Sequence, residues 1–338
     1  MRLYGAIDLH SNNSFTVLLD EQDRVVYQKR CPNDLAYILS ELSPYQAQIE
    51  GIAVESTYNW YWLVDGLMEK GYRVHLVNTT AVQQYNGLKY TDDEYDARWL
   101  AHLLRLGILP EGHIYPKESR AVRDLLRKRS QLVQQRTAHI LSIQNLISRN
   151  TGQMISSNTV KQITLQAVKE IIPETNRLMA VQSNRTVMMC LDEEIKKLEK
   201  GVLKQSRMRP EFKPLLSVTG IGKILGMTIM LETGDIKRFP DVGNYASYCR
   251  CVGSKKMSNF KKKGEGNRKS GNKYLAWAFV EAAHFAVRSD DRIRSFYQRK
   301  SSMRNKIVAI KAVAHKLARA SYYVLRDQME FDVTKAFA

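Results

Sequence analysis

The pattern of the first hundred residues constrains the fold of this 338-residue chain more than any other feature. Three short runs rich in β-branched and apolar residues, LYGAIDL, FTVLLD and RVVYQKR, predict three antiparallel strands joined by tight turns. The segments NDLAYILSEL, IEGIAVES, YNWYWLVDGLMEKGY and RVHLVN then alternate between helical and strand character. A final helix is predicted over residues 92–106. This order predicts a mixed α/β layer fold whose strands end on carboxylates.

The remainder of the chain has helical periodicity. Residues 119–150 carry apolar residues three and four apart without glycine or proline, which predicts a long helix that projects as an arm or coiled coil. A shorter helix is predicted near residues 160–172, and a second long helix over 174–205 pairs with the first as an antiparallel hairpin. A helix–turn–helix-like unit with Gly220 and Gly222 at its turn follows, then a Lys-rich loop and two further helices. The predicted domains are residues 1–115, 116–205 and 206–338.

Charge is distributed unevenly along the chain. The formal net charge is +18, but residues 1–110 carry −5 and the remainder therefore carries +23. A basic surface of this size attracts phosphate backbones, and no amphipathic anchor or long apolar stretch points to a membrane. Four cysteines without C-x-x-C spacing predict reduced thiols rather than a zinc knuckle or a disulfide framework. We therefore expect a cytoplasmic protein that binds nucleic acid.

Four carboxylates are candidates for a metal site. Asp93 and Asp96 leave one face of the predicted helix, and Asp8 and Glu55 end apolar strands where an unpaired charge is costly. Such acids repel one another unless cations neutralise them, and oxygen ligands suit Mg²⁺ or Mn²⁺. The alternative interpretation is a solvated helix start, where acids suit the helix dipole. Asp92 is a one-position alternative to Asp93, and Glu94 is expected outside the site.

A second candidate region lies between Arg250 and Lys273, with nine Lys/Arg residues and one acid. Its glycines allow close approach to phosphate, although a solvated, disordered loop is the alternative. Ser258 lies within it, and its hydroxyl needs a metal or a base to attack phosphorus. The residues expected to contact nucleic acid are all basic: Lys255, Lys256, Lys261, Lys262, Lys263, Arg268, Lys269, Lys273, Arg127, Lys128 and Arg129.

Taken together, the motifs GAIDLHSNN, AVEST and DEYDA, then VTGIGKILGMTIMLETGDIKRF and YCRCVGSKKMS…KSGN, resemble the insertion-sequence 110 family of transposases. The 1111 subgroup is the most similar, and the chain is also similar to the Piv DNA invertase. The resemblance implies a RuvC-like, RNase H-like α/β domain whose DEDD tetrad is Asp8, Glu55, Asp93 and Asp96. It also implies a mainly α Tnp domain that contributes a serine.

In the family that serine precedes a Gly-Asn or Gly-Asp pair by some 13 residues, which falls on Ser258 before Gly271 and Asn272. MSN replaces the family's Ser-Ser-Gly and RCVG replaces a Gly-Leu-Val-Pro-like run, so Ser254 is the alternative. The resemblance further implies Mg²⁺-dependent exchange of DNA strands through a covalent phosphoserine link. It implies a structured guide RNA and assembly as a dimer of dimers, with the serine acting within or between subunits.

Two other functions remain open: a RuvC-like endonuclease without a covalent intermediate, and a non-catalytic nucleic-acid scaffold. Gly220 and Gly222 are consistent with a phosphate-binding helix–hairpin–helix turn or with a plain interhelical turn. For Tyr58, Trp60 and Trp62, packing in the core is favoured over stacking on bases. For His10, which lies next to Asp8, a structural role is favoured over contact with the metal cleft.

Overall fold

The computed structural model describes residues 1–82, 92–206, 212–253, 256–264 and 270–338, with the side chains of Ser206 and Lys256 left out. The candidates Ser254, Lys255, Arg268 and Lys269 lie outside the described residues, as does the side chain of Lys256. The chain divides into two compact units, Met1–Ile114 and Tyr115–Ala338.

The first unit is built on a five-stranded mixed sheet, which confirms the α/β character predicted for this part of the chain. Its strands lie in the order β3-β2-β1-β4-β5. β1, β2 and β3 are antiparallel neighbours, whereas β4 and β5 run parallel to β1. The strands are β1 (Leu3–Leu9), β2 (Asn13–Leu19), β3 (Val25–Pro32), β4 (Ile49–Glu55) and β5 (Val74–Val77).

Helices cover both faces of this sheet. One face packs against α1 (Leu35–Leu42) and α2 (Tyr61–Glu69), and the other packs against α3 (Asp93–Arg105). Because side chains alternate along a strand, Ile7 faces α1 and α2 while Ala6 faces α3. The α3 interface contains small residues from both sides, which lets the helix lie close to the sheet: Ala6, Ala53, Ala97 and Ala101.

The second unit is mainly helical. Its helices are α4 (Lys117–Thr151), α5 (Ser157–Gln162), α6 (Leu165–Ile171), α7 (Thr175–Ser206), α8 (Phe212–Leu215), α9 (Lys223–Thr233), α10 (Val242–Tyr248), α11 (Lys273–Ser289), α12 (Asp291–Met303), α13 (Lys306–Asp327) and α14 (Val333–Ala336). A short antiparallel hairpin of β6 (Lys256–Ser258) and β7 (Lys261–Gly264) lies between α10 and α11.

The long helices α4 and α7 pack as an antiparallel pair, as the sequence predicts. Arg129 pairs with Glu199 at 2.7 Å, Arg136 pairs with Asp192, and His139 contacts Asn184 at 2.9 Å. As residue numbers increase along α4, the numbers of the contacting residues on α7 decrease, as antiparallel packing requires. An apolar cluster continues this contact toward the end of α4 and includes Ile143 and Ile147.

Three local predictions were wrong. The helix expected over residues 160–172 is two helices, because Ile163 is extended and the Thr164 side chain caps α6 by accepting from the amide of Ala167. Helix α12 was not predicted. It follows α11 directly, because Asp290 is both the C-cap of α11 and the N-cap of α12. The Lys-rich loop contains the β6–β7 hairpin, which was not predicted because consecutive lysines are not typical of a strand.

A buried carboxylate joins α4, α9 and α11. Glu232 is 1% exposed, and its oxygens accept hydrogen bonds from Arg123 at 3.0 Å, Arg127 at 2.6 Å and the Asn272 side chain at 2.7 Å. Burial alone raises the pKa of Glu232, but the hydrogen bond from Arg127 and the charge of Arg123 bring it below its usual range. The carboxylate therefore stays ionised inside the unit and connects three helices.

Replacing Glu232 with glutamine should lower the free energy of unfolding by about 3–5 kcal/mol, because the buried Arg123 guanidinium loses its counter-charge. Urea denaturation followed by circular dichroism measures this change. The matched control is Glu199→Gln, whose ion pair with Arg129 is more exposed and should be worth about 1 kcal/mol or less. Equal effects of the two substitutions would contradict the assigned role of Glu232.

Candidate metal centre and serine-bearing hairpin

Strand pairing brings Asp8 and Glu55 together. Ile7 pairs with Val54 in the parallel β1–β4 ladder, so the next residue on each strand lies at the same edge of the sheet. Asp8 has the parity of Ala6, and Glu55 has the parity of Ala53, so both carboxylates lie on the face covered by α3. Asp8 is 3% exposed and Glu55 is half-buried.

Helix α3 brings the other two carboxylates to this face. Asp92 is its N-cap, and the Asp92 side chain accepts a hydrogen bond from the amide of Tyr95 at 2.9 Å. Asp93 and Asp96 lie in the first helical turn, where the dipole favours negative charge. Asp92 is therefore used in capping the helix, and Asp93 and Asp96 are the aspartates that the first turn directs toward the sheet.

His10 lies between two of these acids. Its Nε2 atom is 3.2 Å from Asp8 Oδ2 and 3.2 Å from Asp93 Oδ1, yet it is buried and makes no hydrogen bond of normal geometry. The side chains of Asn33 and Asn59 both donate to the carbonyl oxygen of His10 at 3.0 Å and so hold the end of β1 in place.

The electrostatics of this cluster differ from one carboxylate to another. Burial raises the pKa of Glu55 to about 8, and hydrogen bonding to Asp8 and the charges of Asp8 and Asp96 add to the effect. The hydrogen bond from Arg30, 2.7 Å from Asp93 Oδ2, lowers the pKa of Asp93. Arg30 thus compensates the negative charge of Asp93. The negative charges of Asp8 and Asp96, in contrast, make Glu55 harder to ionise.

These residues fit a divalent cation. Asp8, His10 and Asp93 each offer one ligand atom, and these atoms lie within 4.8 Å of one another. The Nε2 atom of His10 is buried without a hydrogen bond of normal geometry, so it is available as a metal ligand. Carboxylate oxygens are ligands of hard cations. Burial, followed by the hydrogen bond and charge of Asp8 and the charge of Asp96, raises the pKa of Glu55 and so disfavours its ionised form.

Of the four acids expected from the sequence, Asp8 is hydrogen-bonded to Glu55 and lies with Asp93 around His10, whereas Asp96 acts on Glu55 through its charge. Asp92 is the helix cap, and Glu94 pairs with Arg98 and contacts Gln28 at 3.2 Å on the exposed side. His10 lies in the cluster, in the position that the sequence analysis gave as the less favoured alternative to a structural role. The available signal was its spacing, since a residue two positions after Asp8 on an extended segment leaves from the same face.

Ser258 lies in the second unit, at the end of β6. It is exposed and pairs with Lys261 across a two-residue turn made by Asn259 and Phe260. Both turn residues have positive φ, +47° and +58°, as a tight hairpin turn of this type requires. The serine hydroxyl is therefore presented beside the tip of a short basic hairpin.

The segment that carries this hairpin begins and ends at one place. The Arg250 side chain donates to the carbonyl of Gly271 at 2.8 Å, and the amide of Asn272 donates to the carbonyl of Tyr248 at 2.6 Å. Gly271 has a φ of +88°, and a Cβ there would lie 2.6 Å from the Tyr248 oxygen. The Asn272 side chain also caps α11 and donates to Glu232. The Gly-Asn pair thus fixes the base of the segment.

The basic candidates fall into two groups. Lys261, Lys262, Lys263 and Lys273 are exposed on or beside the hairpin. Arg127 pairs with the buried Glu232, and Arg129 pairs with Glu199, so their guanidinium groups hold helices together, a role that the charge pattern did not reveal. Lys128 contacts Gln131 on the surface of α4 at 3.2 Å.

The remaining sequence candidates are placed as follows. Gly220 has a φ of +88° and touches α11, where a Cβ would lie 2.2 Å from the carbonyl oxygen of Ala282, so packing alone requires glycine. The turn borders a cleft of about 1230 Å³. Trp60 is in the core and Trp62 packs against it, as expected, but Tyr58 is 84% exposed.

The four cysteines are free thiols. Within the described part of the chain, no helix is both long and apolar enough to cross a membrane.

A carboxylate cluster suited to divalent cations, together with a strongly basic second unit, is typical of enzymes that act on phosphodiesters. Residues 6–150 match the DEDD transposase family of IS110 elements, described as Transposase. Residues 213–298 match the family described as Transposase IS116/IS110/IS902 family. No curated protein sequence matches the chain.

The two matches occur in order and together cover most of the chain. The first spans the first unit and the start of the second, and the other lies within the second unit. The chain belongs to the IS110 family of transposases, and it is a DNA transposase, an enzyme that cuts and rejoins DNA. DNA is therefore its substrate, and the resemblance drawn from the sequence motifs is confirmed.

The raised pKa of Glu55 predicts a pH-dependent stability. A carboxyl group whose pKa rises from 4.5 in the unfolded chain to about 8 in the folded one stabilises the fold fully below pH 4.5, and this contribution is lost as pH rises through 8. In EDTA, the melting temperature of the unsubstituted protein should therefore fall more steeply between pH 6 and pH 9 than that of Glu55→Gln.

Adding Mn²⁺ should reduce this fall in the unsubstituted protein and have little effect on Glu55→Gln, because a cation favours the ionised carboxylate. Glu94→Gln is the matched control, since Glu94 is paired with Arg98 outside the cluster. Melting curves of Glu55→Gln that run parallel to those of the unsubstituted protein would contradict the assigned electrostatics.

Proposed function

We propose that this transposase exchanges DNA strands through a covalent link to Ser258, with a divalent cation held by Asp8, Glu55, Asp93 and Asp96. The observation that carries the proposal is the convergence of the four acids from β1, β4 and α3 on one face of the sheet. Acids this close are costly unless a cation compensates them. The exposed serine beside a basic turn supplies the second element of the chemistry.

We infer that the first unit has an RNase H-like, RuvC-like fold. The order β3-β2-β1-β4-β5, with β2 antiparallel and β4 and β5 parallel to β1, supports this inference. So does the position of the acids, which lie at the end of the central strand, at the end of its parallel neighbour and on the helix that covers them.

Mg²⁺ is the proposed cation and Mn²⁺ a substitute, with His10 as an additional ligand or as a group that orients Asp8 and Asp93. When bound, the cation supplies Lewis-acid activation at phosphorus. Asp8 is held by the sheet, Asp93 by the capped helix, and the carbonyl of His10 by Asn33 and Asn59. The chain therefore positions its carboxylates before any cation or DNA arrives.

In the proposed reaction the Oγ atom of Ser258 forms a bond to a DNA phosphorus, and the bond from that phosphorus to one deoxyribose oxygen breaks. The serine proton leaves to a basic group of the assembled site, and the released sugar oxygen takes up a proton. A free hydroxyl of the exchanged strand then attacks the phosphoserine, and the serine is restored. The phosphodiester is conserved in the covalent link, so no ATP is needed.

The second unit is proposed to bind DNA and a structured guide RNA. The chain from residue 111 onward has a net charge of about +23, which is more than the lysines of one short hairpin supply. Contacts between basic side chains and phosphates do not depend on base sequence. The lysines of β7 and Lys273 are exposed, which supports the proposal that they contact phosphates of the nucleic acid. Base pairing with the RNA would then select the DNA sites.

The antiparallel α4–α7 pair is proposed to act as a coiled-coil arm that joins subunits into a dimer and, during strand exchange, a tetramer. Several large apolar side chains along the pair are exposed in the single chain, which supports a further partner: Leu141, Met179, Val187 and Met189.

The serine mechanism is tested by replacing Ser258 with alanine. With DNA that spans the flanks of the encoding gene, the unsubstituted protein should form a protein–DNA adduct that survives denaturing electrophoresis, and Ser258→Ala should form none. The matched control Ser302→Ala removes an exposed hydroxyl that is bonded to the carbonyl of Arg299 within α12, and it should form the adduct normally.

Asp8→Asn should lose both the adduct and strand cleavage while retaining DNA binding. If Ser258→Ala still rejoins exchanged strands, the serine is not the nucleophile. If it cleaves without rejoining and the unsubstituted protein shows no adduct, the protein acts as a RuvC-like endonuclease instead.

A further inference from the structure

The tip of the β6–β7 hairpin carries a phenylalanine in an unusual position. Phe260 is 97% exposed, although phenylalanine gains its stabilisation in proteins mainly by burial. No other large apolar residue named as exposed in the described chain shows so much of its surface. Packing within the chain therefore gives no reason for an aromatic ring at this position.

The backbone gives no reason either. Phe260 has a φ of +58° as the second residue of a two-residue turn, where glycine is the favoured residue because it has no Cβ. A bulky side chain in this conformation is an outlier that costs free energy. The ring is thus present at the tip despite both its exposure and its backbone conformation.

The residues next to Phe260 indicate what kind of molecule its ring contacts. Phe260 is followed by three exposed lysines, Lys261–Lys263, and it stands two residues after Ser258. An exposed aromatic ring beside a row of cations is the arrangement that binds unpaired nucleic-acid strands, with cations on phosphates and the ring on a base. An apolar protein surface would not account for the three charges.

We propose that Phe260 binds a nucleobase of the DNA substrate, by stacking on it or by inserting beside it, next to the phosphate presented to Ser258. The proposal rests on the proposed function for the role of that phosphate, but the contact between ring and base does not require the serine to react. Phe260 would thereby set which nucleotide lies at the hydroxyl and hold its base out of the duplex stack.

The contact is tested by photocrosslinking to DNA in which one thymine is replaced by 5-iodouracil. The full-length protein with Ser258→Ala is used, so that no covalent chemistry competes. Oligonucleotides place the modified base in a single strand, in a duplex, or at an unpaired position within a duplex. Mass spectrometry of the digested adduct should identify Phe260, with the highest yield at the unpaired positions.

Phe260→Leu in the same background keeps an apolar side chain but removes the ring. It should lower the yield of this adduct and weaken binding of the single strand by about fivefold or more. Phe285→Leu is the matched control, because Phe285 is a partly exposed phenylalanine on α11, and this change should leave both values unaltered. Melting temperatures of both variants should equal that of the parent, since neither ring is in the core.

Adduct yield and affinity that are unchanged in Phe260→Leu would overturn the proposal. So would a change in the oligomeric state of the DNA-free protein on Phe260→Leu, without loss of the adduct, because a second copy would then be the partner of the ring. The outcome is separable from the serine mechanism. If the unsubstituted protein forms no phosphoserine adduct while the photoadduct at Phe260 persists, the proposed function fails and the base contact stands.

Discussion

The sheet of the first unit holds carboxylates close together even though their negative charges repel one another. Asp8 and Glu55 end neighbouring parallel strands and cannot move apart without breaking the β1–β4 ladder. The small residues under α3 bring Asp93 and Asp96 to the same face. Burial and the neighbouring charges raise the pKa of Glu55, so its ionisation has an electrostatic cost, which the proposed cation would reduce.

The second unit treats a buried carboxylate in the opposite way. Glu232 is more deeply buried than Glu55, yet two arginines and Asn272 supply donors to its oxygens and its pKa falls. The charge of Glu232 is neutralised by groups of its own chain, whereas Glu55 lies beside other acids, which is the environment expected of the proposed metal ligand. Because Asn272 also closes the base of the hairpin segment, Glu232 helps to fix the position from which that segment leaves the helical unit.

The sequence predicted the strands of the first unit because they follow from local periodicity. It also predicted that Asp8 and Glu55 lie near strand ends and that Asp93 and Asp96 lie on a helix, as they do. It ranked contact of His10 with the metal cleft below a structural role, since the approach of that side chain to Asp93 depends on a contact across 83 positions. The hairpin was missed because three lysines and an Asn-Phe turn lack the usual strand and turn signals. The partners of Arg127 and Arg129 could not be read either, because charge patterns do not show which arginines are buried against distant acids.

The most direct test of the account is the position of Mn²⁺ in crystals of the full-length protein soaked with that ion, located by anomalous diffraction. The account predicts a peak bound by oxygens of Asp8 and Asp93, with Glu55 or Asp96 completing the site, and its loss in crystals of Asp8→Asn. Strong peaks elsewhere, with the carboxylate face of the first unit empty, would contradict it.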